Sequence, residues 1–168
     1  MPHTRAAVKD EPLTLRIVSK SPGHVVAAFR PILIAAFTRP PSDGELREIE
    51  GLASSALDEG LRGSLLYVVA RRDMTGGVDP RVRSFFTDLI AKNQGRAGPT
   101  AVVVLADGFA GALVRGAVTG LIRLMTGRGQ IRVFSSVGDA CHWLATEQHI
   151  AGTALVAAWR EAAAGLAL

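Results

Sequence analysis

The chain has 168 residues, 48% of them hydrophobic, with a single cysteine and a formal charge of +4. That length suits one domain with a substantial core, and that apolar content excludes wholesale disorder. One cysteine excludes an intrachain disulfide framework, no apolar run is long enough for a membrane span, and the basic residues are scattered rather than blocked. The expectation is a cytoplasmic protein that does not bind nucleic acid.

Residues 1–12 carry two prolines and mixed charge without periodicity, which predicts a flexible tail ahead of one domain over 13–168. Leu13 to Val18 alternates apolar with polar and suits a half-exposed strand. Ser21-Pro22-Gly23 is turn chemistry, so His24 to Phe29 should pair back antiparallel as a hairpin. Pro31 cannot donate to a ladder and marks the break before the next run.

Three runs contain almost no polar atom: Ile32 to Phe37, Leu65 to Ala70 and Ala101 to Ala106. A strand with one wet face alternates, whereas a strand covered on both faces reads as continuous apolar sequence. These runs therefore predict a mainly parallel sheet between helices.

The helices are punctuated. Ser42 with Glu45 forms a capping box, Leu46, Ile49 and Leu57 supply an apolar stripe, and Gly60 can end the helix in the left-handed conformation. Asp79 caps the second helix, Pro80 sits where its missing N–H costs nothing, Val82, Phe85, Phe86, Leu89 and Ile90 form its inner face, and Gly95 closes it. A third helix is expected over 110–126, then a strand from Gln130 to Phe134. A second capping box, Ser136 with Asp139, opens the closing helix, which Gly152 kinks or divides. From about 149 an Ala-rich helical extension carries Trp159; Trp143 and Trp159 stand at core-like helical spacing and read first as packing, the alternative being that the last helix with Trp159 covers a second copy of the chain. The fold class is thus α/β: a mainly parallel sheet, an N-terminal antiparallel hairpin and four or five helices packed on it.

A hairpin feeding alternating strands and helices resembles the STAS domain superfamily, the sulfate-transporter and anti-sigma-factor-antagonist-like domains, and in particular its small stand-alone bacterial members. The stretch that carries most of the resemblance runs from Ala101 to Ala145, with its buried strand, Asp107-Gly108-Phe109 turn, Val133-Phe134 strand and Trp143-Leu144 helix; the start of the second helix, Val78 to Arg83, fits as well. The resemblance implies a small non-catalytic module that binds a protein or a ligand. Phospho-switched antagonists carry Asp-Ser-Ser-Gly at the turn into the second helix. This chain reads Asp79-Pro80-Arg81, with Thr75 the nearest hydroxyl, so the phospho-switch serine is absent.

Ligands of open α/β sheets meet the loops at the carboxyl ends of the strands. The richest such loop here runs from Arg71 to Asp79, and Arg72, Asp73, Thr75, Asp79 and Arg81 are the expected contact residues, Arg81 as a bidentate donor to a carboxylate or phosphate. The alternative is a carrier or sensor of a small apolar or anionic ligand held between the third helix and the sheet. No cofactor is expected: Asp107 to Gly111 lacks the full glycine fingerprint and any Walker lysine. Nor is catalysis, since Cys141 and His142 project about 100° apart on a helix. His142 and His149 have no third ligand in view, so no metal is expected either.

Overall fold

The strand β3, Ile32–Phe37, is buried at every residue, because each face of the sheet is covered by its own pair of helices. The structure is a computed structural model that describes residues 13–70, 79–93, 95–105 and 131–168, together with Ala112, Gly116 and Thr119, which are helical. The predicted tail, the loop bearing Arg72, Asp73 and Thr75, and most of the predicted third helix lie outside the described residues.

Six strands run in sequence order across one sheet: β1 (Arg16–Ser21), β2 (His24–Phe29), β3, β4 (Ser64–Val69), β5 (Thr100–Val104) and β6 (Ile131–Phe134). The first two ladders are antiparallel and the last three parallel, so the predicted mixed α/β architecture is the observed one. Four helices pack on the sheet among the described residues: α1 (Asp43–Asp58), α2 (Pro80–Lys92), α3 (Val137–Glu147) and α4 (Gly152–Ala163).

Topology decides which face each helix covers. The β3–α1–β4 and β4–α2–β5 crossovers step in the same direction along the sheet, and their common right hand puts both helices on one side. Val26, Ala28, Leu33, Ala35, Phe37, Leu65, Tyr67, Val102 and Val104 meet Ile49 of α1 and Val82, Phe85 and Phe86 of α2 there. The alternate residues, among them Val25, Ala27, Ile32, Ile34, Leu66 and Val103, meet Cys141 and Leu144 of α3 and Leu155, Trp159 and Ala162 of α4 on the opposite side. Each large apolar side chain fully buried this way contributes about 1.5–3 kcal/mol. Alanines at 27, 28, 35 and 36 keep the middle of both faces flat.

The boundaries differ from expectation in instructive places. The β1–β2 turn consists of Pro22 and Gly23 alone, so Ser21 still pairs with His24 and β1 runs to Ser21 rather than ending at Val18. Gly60 and Gly95 adopt φ of +78° and +77°, as their positions after α1 and α2 predict. The closing helix is divided: α3 ends at Glu147, His149 takes φ 55°, and Gly152 begins α4. The C-terminal segment is a working half of the core, with Leu155 and Ala162 fully buried and Trp159 covered by the chain's own residues. Trp159 is accordingly part of the core, as its helical spacing predicts.

The capping pattern separates Glu from Asp. Ser42 and Glu45 form the full reciprocal box on α1. At α3 Ser136 accepts from the Asp139 amide at 3.3 Å, and no return bond from Asp139 accompanies it. An aspartate is one methylene short of that reach.

Candidate functional site

The carboxyl ends of β3 and β4 and the N-termini of α1 and α2 converge on one end of the sheet, and the described polar side chains there fall into two groups. The first is exposed. Asp79 caps α2 by accepting from the Arg81 amide at 2.9 Å, since the first turn of a helix leaves its N–H groups unpaired. The Arg81 side chain folds back on the same carboxylate, donating from Nη2 to Oδ2 at 2.9 Å and from Nε to Oδ1 at 3.4 Å. Its Nη1 reaches Asp43 Oδ1 at 3.3 Å, bridging to the first turn of α1. The Arg81 guanidinium is held even more firmly charged than usual, chiefly by its hydrogen bonds to Asp79. Arg81 and Asp43 are both exposed, at 53% and 71% of their side-chain surface.

Of the expected contact residues, then, Asp79 and Arg81 are brought together and joined by Asp43, which no motif in the sequence singles out. Arg72, Asp73 and Thr75 lie outside the described residues.

The second group is sheltered, and of its members the sequence marks Glu45 alone, as a cap. Glu45, at N3 of α1, closes its capping box by accepting from the Ser42 amide at 2.7 Å. The same carboxylate accepts from Arg39 Nη2 at 2.6 Å and Nη1 at 3.0 Å. Its Oε1 also lies 3.0 Å from His24 Nδ1. The Arg39 hydrogen bonds, opposed by burial and reinforced by Ser42, hold the Glu45 carboxyl down at about 2. His24 stacks on Phe37, with centroids 6.1 Å apart, and from there aromatic contacts run through Tyr67 to Phe86 and Phe85.

Ser19 Oγ lies 3.3 Å from His24 Nε2, so Ser19, His24 and Glu45 stand in the order of a nucleophile–base–acid relay. The proton runs elsewhere. Ser19 donates to Glu48 Oε2 at 2.6 Å, and Arg39 occupies both oxygens of Glu45 while its Nη2 stands 3.2 Å from His24 Nδ1. With the Ser19 hydroxyl donated to Glu48, the cluster ties the β1–β2 hairpin to α1. Arg39 also lies across Gly23, where an added Cβ would meet its Nε at 3.0 Å.

Among the described residues no three His, Cys, Asp or Glu side chains are placed to hold a metal ion, and no helix is long and apolar enough to cross a membrane. Cys141 is buried, and burial pushes its thiol up to about 12. A small apolar crevice opens at the opposite, amino end of β4 and β5, lined by Leu57, Leu65 and Leu89 and by Ser64, Asn93 and Thr100. The space expected between the third helix and the sheet lies outside the described residues. Comparison with protein-family models, with curated proteins and with solved structures finds no match to this chain, so the functional reading rests on this end of the sheet.

Proposed function

We propose that the chain is a STAS-like, non-enzymatic protein-interaction module that meets its partner protein at the carboxyl end of the parallel strands. The observation that supports this reading is the Asp43–Arg81–Asp79 bridge, exposed at Asp43 and Arg81, which joins the first turns of α1 and α2 at the turn where phospho-switched antagonists carry their serine. Such a surface presents a cation flanked by two anions on rigid helix ends. That pattern suits a protein surface of alternating charge better than a small anion, which would have to displace two carboxylates from Arg81. The switch serine of phospho-regulated relatives has no counterpart at Pro80 or Arg81, so the module would bind constitutively or through a different signal.

Affinity capture with the intact chain tests this. A partner held by the native protein should be lost with Arg81→Glu, weakened by Asp43→Lys, and retained by Arg160→Glu on α4. Retention of every partner by both Arg81→Glu and Thr75→Ala would refute the assignment of this end.

A further inference from the structure

β1 is the edge of the sheet, paired with β2 on one side and, among the described residues, with no strand on the other. Exposed apolar side chains concentrate on it. Of the four large hydrophobic residues exposed among the described residues, Leu13, Ile17 and Val18 lie on or beside this strand, at 42%, 40% and 38%; the fourth, Leu168, ends the chain. Arg16 and Lys20 are exposed between and beyond them, and no acidic residue occurs from Leu13 to Ser21. Glu48 of α1, which reaches the strand, is engaged by Ser19. The register slips between Ile17 and Ser19, so Val18 has no partner on β2 and the strand bends there.

Lysines and bulges on an edge ordinarily blunt pairing with another sheet. Here they are selective rather than general. A second copy would bring Arg16 and Lys20 toward an identical cationic strand, and like charges across a ladder repel. A strand of opposite charge meets no such barrier and gains the exposed apolar contacts.

We propose that β1 is a docking edge for an extended acidic segment of another protein, added as a further strand beyond β1. Main-chain hydrogen bonds to this edge would hold it, Ile17 and Val18 would take its apolar side chains, and Arg16 on one face of the ladder and Lys20 on the other would take its carboxylates. This surface is separate from the helix ends bridged by Arg81, and it stands or falls independently of the function proposed there.

The test uses the full chain and three fluorescein-labelled nine-residue peptides. One alternates Val with Glu, one alternates Val with Lys, and one is the acidic sequence with alternate amides N-methylated, which keeps the charge and removes the donors. The acidic peptide should bind about fivefold tighter than the basic one, because an alternating peptide sets its charges on one face and so meets Arg16 or Lys20, whose partners Ala28 and Val25 face opposite sides of the sheet. N-methylation should abolish binding, and bound acidic peptide should slow amide hydrogen exchange across residues 16–20. Arg16→Glu/Lys20→Glu, whose side chains are exposed and whose folding circular dichroism checks, should reverse the preference. Equal binding of acidic and basic peptides, indifference to N-methylation, protection confined to the starts of α1 and α2, or no binding at all would each overturn the proposal. Concentration-dependent self-association lost on the double substitution would replace it with a second copy.

Discussion

Arg39 grips both oxygens of the sheltered Glu45 carboxylate, with Nη2 2.6 Å from Oε1 and Nη1 3.0 Å from Oε2. The pair ties the connection after β3 to the first turn of α1, and through His24 it ties the β1–β2 hairpin to both. Glu45 and Ser64 are the polar side chains buried among the described residues, and each is satisfied at its own end of the sheet.

The Glu45 pair sets an acid limit on stability. Its carboxyl is held at about 2 in the folded chain, below the ordinary value of 4.5 that the unfolded chain resumes. The folded state therefore binds fewer protons, and the stabilisation is present in full above about pH 4.5 and is lost as pH falls toward 2. Arg39 is 44% exposed, which screens the pair, so Glu45→Gln should cost about 1–3 kcal/mol at pH 7, partly through the weakened cap. Urea unfolding followed from pH 7 to pH 3 should show the difference between native and variant shrinking below about pH 4.5, as the Glu45 carboxyl of the unfolded chain takes up a proton that the folded chain refuses. A constant difference across that range would contradict the ionic origin.

Legibility in the sequence depends on how local each feature is. Burial on both faces is written into a single run of residues, so Ile32 to Phe37 declares itself as a central strand without reference to any other segment. The capping box at Ser42 and the stops at Gly60 and Gly95 are equally local. The end of β1 is not, because it depends on turn length: a two-residue connection continues the ladder to Ser21, and Ser-Pro-Gly alone does not say where pairing stops. The His24–Arg39–Glu45 cluster is hidden for a stronger reason. His24 and Arg39 are fifteen residues apart and meet through antiparallel pairing of β2 with β3, so no spacing pattern announces them. Glu45 reads as a cap, which it is, and its surplus acceptor capacity is the one available hint.

Two helix caps that look alike in sequence differ in their return bond. Ser42→Ala and Ser136→Ala each remove one side-chain bond and should each cost about 1 kcal/mol, because the return bond at α1 is donated by the residue-42 backbone amide to Glu45 and survives the substitution. Asp139→Glu supplies the missing methylene and should raise the stability of the chain by a few tenths of a kcal/mol. Thermal denaturation of the three variants checks these outcomes. A loss at Ser42 much larger than at Ser136 would mean that the two halves of the α1 box hold only together.

Two glycines should respond to alanine in opposite directions. Gly51 sits inside α1 with no atom within 4 Å of an added Cβ, so Gly51→Ala should stabilise the chain by about 0.5–1 kcal/mol through reduced backbone entropy of the unfolded state. At Gly98 a Cβ would fall 2.7 Å from the Arg62 carbonyl oxygen, 2.8 Å from Ser64 Oγ and 2.9 Å from Gln148 Nε2. The Arg62 carbonyl belongs to the backbone leading into β4 and cannot swing aside. The same substitution also presses on the bond by which Gln148, at the end of α3, donates to Ser64 at 2.6 Å. Gly98→Ala should therefore destabilise by about 1–3 kcal/mol. Chemical denaturation midpoints moving the same way for both variants would show that the close approach at Gly98 is relieved elsewhere.

Tyr67 is the chain's one tyrosine, which makes its ionisation separately visible. It lies in β4 at 2% exposure, with Phe86 edge-on at 4.9 Å and Phe37 tilted at 5.7 Å. Burial, with smaller contributions from the Asp79 and Glu45 charges, pushes its phenol well above the ordinary 10. The unfolded chain ionises near 10 while the folded chain stays neutral, so the stabilisation is whole below pH 10 and drains away as pH rises past it. The phenolate band near 295 nm should not grow with a midpoint near 10; it should appear together with loss of the far-ultraviolet signal of the fold. Tyr67→Phe removes that alkaline sensitivity and should shift the unfolding transition to higher pH. A smooth titration near 10 in a chain that remains folded would show that the layer between the sheet and α2 is open to water.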